Sequence, residues 1–265
     1  MTPAEFFRGL RDGDTHRGGI RCLRLFSLEP AYFGRAVVEV MQLVRDETAS
    51  IAGDPGHVTN WTRPQGLVRQ FSLLNRSGRF DDFSSDHDLS CLGKSFHTRA
   101  RYPALASLVE GFPHAVNFRI NAMAPGARLP PHEEQLLVRT RTGVIGMRVR
   151  CHLPIVTNEA AELMMDGEVY HLDPGTIYLV NHGCVHSAWN DGAEERFHLV
   201  WDTLLTRAAF DLLMATTTPN FPAWQMGEAE RIPEPLRCER IGPWVAVPAR
   251  VSPAEIERLG WCEIQ

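Results

Sequence analysis

The chain has 265 residues, 44% of them hydrophobic and 22% charged, which indicates one large globular domain rather than a disordered chain. Its net charge of −5, without a basic run, disfavours nucleic-acid binding, and no segment resembles a membrane span or a signal peptide. Six scattered cysteines favour reduced thiols, so a cytoplasmic protein is expected, and a single lysine, Lys94 in an exposed-looking turn, disfavours Schiff-base chemistry.

The first part of the chain predicts a few mixed elements. Apolar spacing predicts an amphipathic helix over residues 29–49 and a strand over 66–74. The acidic stretch 75–95 is typical of a long loop, and 102–111 predicts a short helix. We expect residues 1–114 to form a supporting segment of the same domain as the remainder of the chain.

The periodicity changes at about residue 115. From 115 to 203, short β-rich runs alternate with turn residues, which predicts an all-β sandwich or barrel such as a jelly roll. Residues 204–265 contain helix-like runs at 207–215 and 253–259 and are expected to form a small C-terminal cap on the β-core.

Two histidines and an acid have the spacing of a metal site. His132 and Glu134 lie two residues apart in an extended run, so their side chains point to the same side. His186 follows about fifty residues later. Two histidines and one carboxylate on one side of a metal are the ligands of non-haem Fe(II) oxygenases.

A lone cation follows the second histidine. Arg196 lies ten residues after His186, and the turn Asn190-Asp191-Gly192 predicts a hairpin that brings the two strands together. The guanidinium would then suit a co-substrate carboxylate near the metal. The alternative is a surface ion pair between Arg196 and Glu194 or Glu195.

Three further side chains that can carry a positive charge alternate along one strand. Alternation predicts that Arg148, Arg150 and His152 share one face, opposite Val149, Cys151 and Leu153. Three such groups on an inner face would require an anion. The alternative is the outer face of a half-exposed strand.

Three motifs carry a family resemblance. They are Arg150-Cys-His152-Leu-Pro154, His186-Ser-Ala-Trp-Asn190-Asp-Gly192 and Arg196-Phe-His198-Leu-Val-Trp-Asp202. Together they resemble the aspartyl/asparaginyl β-hydroxylase family, and within it the bacterial free-amino-acid hydroxylases similar to proline cis-4-hydroxylase. The resemblance covers roughly residues 115–203. It implies a mainly β fold: a double-stranded β-helix (jelly-roll, cupin-like) catalytic core with flanking N-terminal and C-terminal helices.

The resemblance also implies an activity. It is that of a 2-oxoglutarate-dependent Fe(II) dioxygenase, which uses O2 to hydroxylate an unactivated C–H bond and releases succinate and CO2. The expected substrate is an amino acid or amino-acid derivative, either free, within a peptide or on a carrier protein. Neither a nucleic acid nor a membrane is an expected partner.

The resemblance assigns the iron ligands to His132, Glu134 and His186. The amino-acid hydroxylases usually have Asp two residues after the first histidine, so Glu134, which is one methylene longer, is a departure. His182 is a rival for the last ligand. His186 is preferred because Arg196 keeps the family spacing from it.

The resemblance further assigns the ligand-binding cations. Arg196 would hold the far carboxylate of 2-oxoglutarate, and Arg150 and His152 would lie next to the co-substrate. Residues for the substrate are less specific, and the candidates are Arg119, Arg148 and Trp61.

Two other functions agree with the same histidines. A cupin-type metalloenzyme that does not use 2-oxoglutarate would keep the ligands but would not need Arg196. The other is a non-catalytic β-barrel that binds a small molecule.

Overall fold

The computed structural model of the protein describes residues 20–51, 68–88, 91–134, 137–139, 145–215, 221–227 and 230–247. Within these ranges the helices are α1 (Pro30–Ile51), α2 (Phe83–His87), α3 (Pro103–Gly111) and α4 (Arg207–Met214). None of them has both the length and the apolar character needed to span a membrane. The strands before residue 160 are β1 (Cys22–Leu28), β2 (Val68–Ser72), β3 (Ala115–Met123), β4 (Ala127–Glu134), β5 (Leu137–Arg139) and β6 (Ile145–Val156). The later strands are β7 (Ala161–Met165), β8 (Glu168–Tyr170), β9 (Thr176–Val180), β10 (His186–Asn190), β11 (Arg196–Leu204), β12 (Ala223–Gln225), β13 (Arg237–Cys238) and β14 (Val245–Val247).

The strands form two sheets. The larger has the order β12-β1-β9-β6-β11-β3-β2, with β5 also paired to β6, and the smaller has the order β13-β8-β7-β10-β4-β14. Neighbouring strands are antiparallel, except that β14 runs parallel to β4. Met123 and Tyr178 of the larger sheet share a buried cluster with Leu163 and Ala188 of the smaller one. The predicted fold class, a mainly β jelly-roll core with flanking helices, is confirmed, and the flanking helices among the described residues are few.

The outer face of the larger sheet carries the main apolar core. Leu199 and Trp201 of β11 belong to one buried cluster with Leu43 of α1 and Leu105 of α3. Trp201 stacks on Phe118, with ring centroids 4.6 Å apart and planes only 4° from parallel. Aromatic pairs of this kind add to the stability that burial provides. The helices therefore cover one face of the sheet and leave the other face toward the smaller sheet.

The inner face of the larger sheet is polar. Arg148, Arg150 and His152 alternate with Val149, Cys151 and Leu153, and these apolar partners lie in the main core. The predicted alternation is confirmed, and the alternative of a half-exposed face is wrong, because all three polar residues are 9% exposed or less. The interior between the sheets thus holds charged groups.

The predicted elements before residue 115 are largely confirmed. Helices α1 and α3 and strand β2 lie where the apolar spacing predicts them. Strand β1 has no counterpart among the predicted elements, and α2 interrupts the predicted loop 75–95. Lys94 is less exposed than its turn suggests, because its ammonium donates to the carbonyl of Asp88 at 2.5 Å and to that of Val116.

Two other predictions have no clear outcome in the fold. The helix-like run 253–259 lies outside the described residues. The division of the chain at residues 115 and 203 stays a prediction, because strands from before, between and after these positions take part in the two sheets.

The predicted hairpin at Asn190–Gly192 is wrong. Strand β10 lies in the smaller sheet between β7 and β4, whereas β11 lies in the larger sheet between β6 and β3. The Asn190 amide donates to the carbonyls of Met123 (2.9 Å) and Glu194 (2.8 Å), which fixes the connection where it crosses between the sheets. The turn residues are those of a hairpin, but the chain uses them to change sheets.

We predict that Gly167→Ala destabilises the fold more than Gly126→Ala. Both glycines have a positive φ (+85° and +77°), so an added methyl group is strained at either position, by about 1 kcal/mol. At Gly167 the Cβ would also lie 2.8 Å from the backbone oxygen of Glu239, whereas at Gly126 no described atom lies within 4 Å. Urea denaturation should give a loss of about 2 kcal/mol or more at Gly167. Equal losses at the two positions would contradict the close approach of Glu239.

Candidate metal centre

The three predicted ligands meet at the edge of the interior. Strands β4 and β10 are antiparallel neighbours, and His132 lies directly opposite His186. Their ring centroids are 4.1 Å apart. One ligand atom from each of His132, Glu134 and His186 lies within 4.8 Å of the others, so the three side chains can share a single metal ion.

Hydrogen bonds select the tautomer of both histidines. Nδ1 of His132 lies 2.8 Å from the carbonyl oxygen of Pro130, and Nδ1 of His186 lies 2.9 Å from that of Cys184. A carbonyl only accepts, so each Nδ1 carries the proton and each Nε2 carries the lone pair. Bonds of this kind orient the histidine ligands of metal sites.

Burial keeps the two imidazoles neutral. It lowers the pKa of His132, and it lowers the pKa of His186 to about 3, with the neighbouring His132 adding to the effect. Both rings are therefore unprotonated at neutral pH, which is the form that binds a metal.

Glu134 contacts two arginines as well as the metal position. Arg150 donates to both of its carboxylate oxygens (2.5 and 2.9 Å), and Arg148 donates to Oε2 (2.7 Å). Its Oε1 lies 3.9 Å from Nε2 of His132. Although burial opposes ionisation, the arginine charges hold the pKa of Glu134 well below its usual range, so the group is a carboxylate.

The same two arginines also hold a second carboxylate. Arg150 donates to Asp202 through Nε (2.7 Å) and Nη2 (3.0 Å), and Arg148 donates to it through Nη1 (2.8 Å). Asp202 is fully buried, and the arginines lower its pKa despite that burial. Two guanidinium groups and two carboxylates therefore form one neutral cluster between the sheets.

Arg196 has a different environment. It is only 2% exposed, and its described polar contacts are the sulfur of Met123 (2.9 Å) and Nδ1 of His198 (2.6 Å). Burial lowers its pKa to about 9. The predicted alternative of a surface ion pair is wrong, because Glu195 pairs with Arg69 instead. Among the described residues no carboxylate contacts this guanidinium.

Further polar atoms near Arg196 have no described partner. Arg196 donates to Nδ1 of His198, so His198 carries its proton on Nε2, and this N–H has no described acceptor. Nδ1 of His152 and Oδ1 of Asn121 also lack a partner in the described part of the chain. Buried polar groups are normally satisfied, so such a cluster is typical of a polar ligand site.

His152 connects this region to the metal position. Its ring meets that of His198 edge-on, with centroids 6.0 Å apart. Burial lowers its pKa, and the charges of Arg196 and Arg150 and the neighbouring His186 add to the effect. His152 therefore lies within electrostatic range of both Arg196 and the candidate ligand His186.

The remaining predicted site residues are more scattered. Arg119 is half-buried on β3 and donates to Oε1 of Gln70 at 3.4 Å. Arg148 lies in the charge cluster, and Trp61 lies outside the described residues. His182, the rival ligand, is fully buried but does not belong to the described metal-capable group.

Asp202 has a place in the site that the sequence analysis does not assign. It alternates with Arg196 and His198 along β11, so the period of two predicts that its carboxylate faces the same interior. This alternation is the sequence signal from which the interior position of Asp202 could have been predicted.

A comparison with known protein families identifies the family of the chain. A family model described as aspartyl/asparaginyl beta-hydroxylase matches residues 41–205, which is more than half of the 265-residue chain. The chain belongs to this family. No curated protein matches it significantly. Family membership and the group of His132, Glu134 and His186 together support a non-haem iron oxygenase that acts as a hydroxylase.

Solved structures similar to this hydroxylase are distant. AviO1 from Streptomyces viridochromogenes Tue57 has 12% identity and a TM-score of 0.44, covering 76% of this chain and 96% of that one. Salicylate 1,2-dioxygenase from Pseudoaminobacter salicylatoxidans has 13% identity and a TM-score of 0.29, covering 66% and 32%. A predicted oxalate decarboxylase from Thermotoga maritima has 16% identity and a TM-score of 0.27, covering 35% and 69%.

We predict that the metal-free hydroxylase loses stability as the pH falls from about 7 to 5. Burial lowers the pKa of the interior histidines 132, 152, 182, 186 and 198. As the pH falls, these histidines become protonated near pH 6.5 in the unfolded chain but only at lower pH in the folded chain. Acid therefore favours unfolding. Each histidine contributes up to about 1.4 kcal/mol per pH unit in this range.

Thermal unfolding in the presence of a chelator measures this effect. His182→Leu should reduce the pH dependence without the loss of a hydrogen bond, because neither ring nitrogen of His182 has a described partner. His97→Gln, at an exposed position, is the control. A melting temperature that is constant between pH 7 and 5.5 would show that these rings are not buried as described.

Proposed function

We propose that the protein is an Fe(II) oxygenase that uses 2-oxoglutarate and O2 to hydroxylate an unactivated C–H bond of an amino acid or amino-acid derivative, with release of succinate and CO2. The observation that carries the proposal is Arg196. Its guanidinium is buried in the same interior as the candidate ligands and has no carboxylate partner among the described residues. A buried charge of this kind is unfavourable until an anion joins it. A dicarboxylate co-substrate would supply that anion.

The donor set fits iron. His132, His186 and Glu134 would bind Fe(II) on one side and leave positions open on the other, as in non-haem Fe(II) oxygenases. The bonds from Arg148 and Arg150 do not prevent this. Oε2 of Glu134 accepts from both arginines, but Oε1 accepts only from Arg150 among the described residues and keeps a second lone pair for the metal.

The interior also fits a dicarboxylate. Arg196 would donate to the far carboxylate of 2-oxoglutarate, and the unsatisfied Nε2–H of His198 would be a second donor. Four of the five N–H groups of Arg150 already donate to Glu134 and Asp202, so Arg150 would contribute its charge and one Nη1 hydrogen near the metal. His152 would contact the co-substrate between these two arginines.

The contribution of the chain to the reaction would be orientation and exclusion of water. When bound, iron would supply the redox chemistry of O2 activation and C–H oxidation. The ligand set and Arg196 would fix the two ends of the co-substrate, which removes its rotational freedom. Buried apolar side chains line the same space and would keep it dry, among them Met123, Met165 and Val180.

The substrate proposal depends on a cation for the amino-acid carboxylate. Arg119 is favoured because it is half-buried on the inner face of β3. Arg148 suits this role less well, because its two Nη atoms donate to Asp202 and Glu134. A role for Trp61 stays a prediction. Free, peptide-bound and carrier-bound amino acids all remain part of the proposal.

We also propose a cytoplasmic location. Cys22, Cys151 and Cys238 carry thiols rather than disulfides, which supports a reducing compartment.

Anaerobic titration tests the proposed activity. Adding 2-oxoglutarate to the Fe(II) protein should produce a weak charge-transfer band at roughly 500–530 nm, as expected of a keto acid chelated at an open site. Succinate release across a panel of free and peptide-bound amino acids, with mass spectrometry for one added oxygen, would identify the substrate. The absence of both the band and succinate would overturn the proposal.

We predict that Arg196→Met stabilises the ligand-free protein but removes its response to 2-oxoglutarate. Methionine replaces a buried cation that lacks a counter-ion, which should raise the free energy of unfolding by about 1–4 kcal/mol. The increase in melting temperature on addition of 2-oxoglutarate should disappear at the same time.

Two variants control this prediction. Arg196→Lys keeps the charge but not the bidentate fork, so 2-oxoglutarate should bind more weakly than in the wild type. Arg207→Met, at an exposed arginine that pairs with Asp211, should change neither property. If Arg196→Met binds 2-oxoglutarate normally, the co-substrate lies elsewhere.

A further inference from the structure

Asp202 occupies the centre of the polar interior without contacting the candidate metal group directly. It lies on β11 between Arg150 of β6 and Asn117 of β3, its register partners on the two sides. Its side chain is fully buried, and it accepts bonds from Arg148, Arg150 and, at 3.0 Å, the amide of Asn117. Its backbone N–H donates to Oδ1 of Asn117 at 2.8 Å. The carboxylate is therefore fixed on three strands.

Arg148 and Arg150 connect the fixed carboxylate of Asp202 to Glu134 in the smaller sheet. Arg148 uses Nη1 for Asp202 and Nη2 for Glu134, at 2.8 and 2.7 Å. Arg150 likewise divides its guanidinium between the two carboxylates. Because each guanidinium is planar and rigid, fixing one edge at Asp202 fixes the direction in which the other edge holds Glu134.

We propose that Asp202 is a positioning residue for the metal centre: through Arg148 and Arg150 it sets the position and the effective charge of Glu134, and thereby the affinity of the site for a divalent cation. The inference rests on the proposed function, because it takes the group of His132, Glu134 and His186 as the metal site.

The charge balance of the cluster supports the proposal. Arg148 and Arg150 contribute two positive charges, and Glu134 and Asp202 two negative charges. If Asp202 loses its charge, the cluster becomes +1 and Glu134 is the sole described carboxylate for two guanidinium groups. It is then drawn toward them and away from a cation. If Arg148 loses its charge, the cluster becomes −1 and attracts a cation more strongly.

Opposite effects of two variants distinguish this role from a structural one. Asp202→Asn should weaken Co(II) binding by about 10- to 100-fold, the range typical of residues that orient metal ligands. Arg148→Met should strengthen it by about tenfold, as expected for the removal of one buried positive charge near a cation. In the double variant the cluster is again neutral, so the affinity should return close to that of the wild type. If Asp202 only stabilised the fold, both single variants would weaken binding and the double variant would weaken it further.

The experiment measures Co(II) affinity of the full chain without co-substrate, by competition with a chelating dye. The visible absorption of bound Co(II) gives a second readout: Asp202→Asn should shift the spectrum toward that of Glu134→Ala, which lacks the carboxylate ligand. Arg148→Lys keeps the charge but not the rigid fork, so it should not strengthen Co(II) binding as Arg148→Met does. Asp211→Asn, at an exposed aspartate paired with Arg207, is the matched surface control and should have no effect.

The outcomes separate the inference from the proposed function. If the wild type does not bind Co(II), the proposed metal centre fails and the inference with it. If the wild type binds Co(II) but Asp202→Asn binds it equally well, or Arg148→Met weakens binding, the inference alone is overturned. Should Asp202→Asn fail to fold, Arg148→Met and the neutral double variant still decide between the two roles by the sign of their effects.

Discussion

The guanidinium of Arg150 joins the two sheets, because it donates to Glu134 on β4 of the smaller sheet and to Asp202 on β11 of the larger sheet. A single charge in this interior would be costly. Here two arginines and two carboxylates neutralise one another, so a jelly roll can contain a charged interior and still fold. The candidate metal group is built on this cluster, since one of its four charged members is also one of the three candidate ligands.

The interior contains arginines of two kinds. Arg150 has carboxylate partners from the chain itself and contributes to the fold. Arg196 contacts only a thioether and an imidazole among the described residues, so its charge is a cost to the ligand-free protein. The same residue type therefore has opposite effects on stability, and the difference lies in the partners. An unbalanced buried cation indicates that the site takes an anionic ligand, whereas a balanced one gives no such indication.

Local spacing predicted much of this arrangement. His132 and Glu134 are two residues apart on a strand, so their shared face follows from the period of two, and the same period predicted the alternation around Arg150. It could not predict that the turn at Asn190–Gly192 connects two sheets, because a turn sequence does not specify which neighbour the next strand joins. The role of Asp202 also lay beyond local spacing, since its arginine partners are 52 and 54 residues away.

Strand β14 lies parallel to β4, with Val245 beside His132 and Val247 beside Glu134. Two of the three candidate ligands therefore lie on a strand whose second neighbour is more than one hundred residues later in the chain. Until that neighbour is synthesised, β4 is an edge strand with unpaired backbone groups along one side. During translation, the candidate ligands are therefore synthesised before the strand that completes their sheet. A nascent chain contains both histidines before the site is finished.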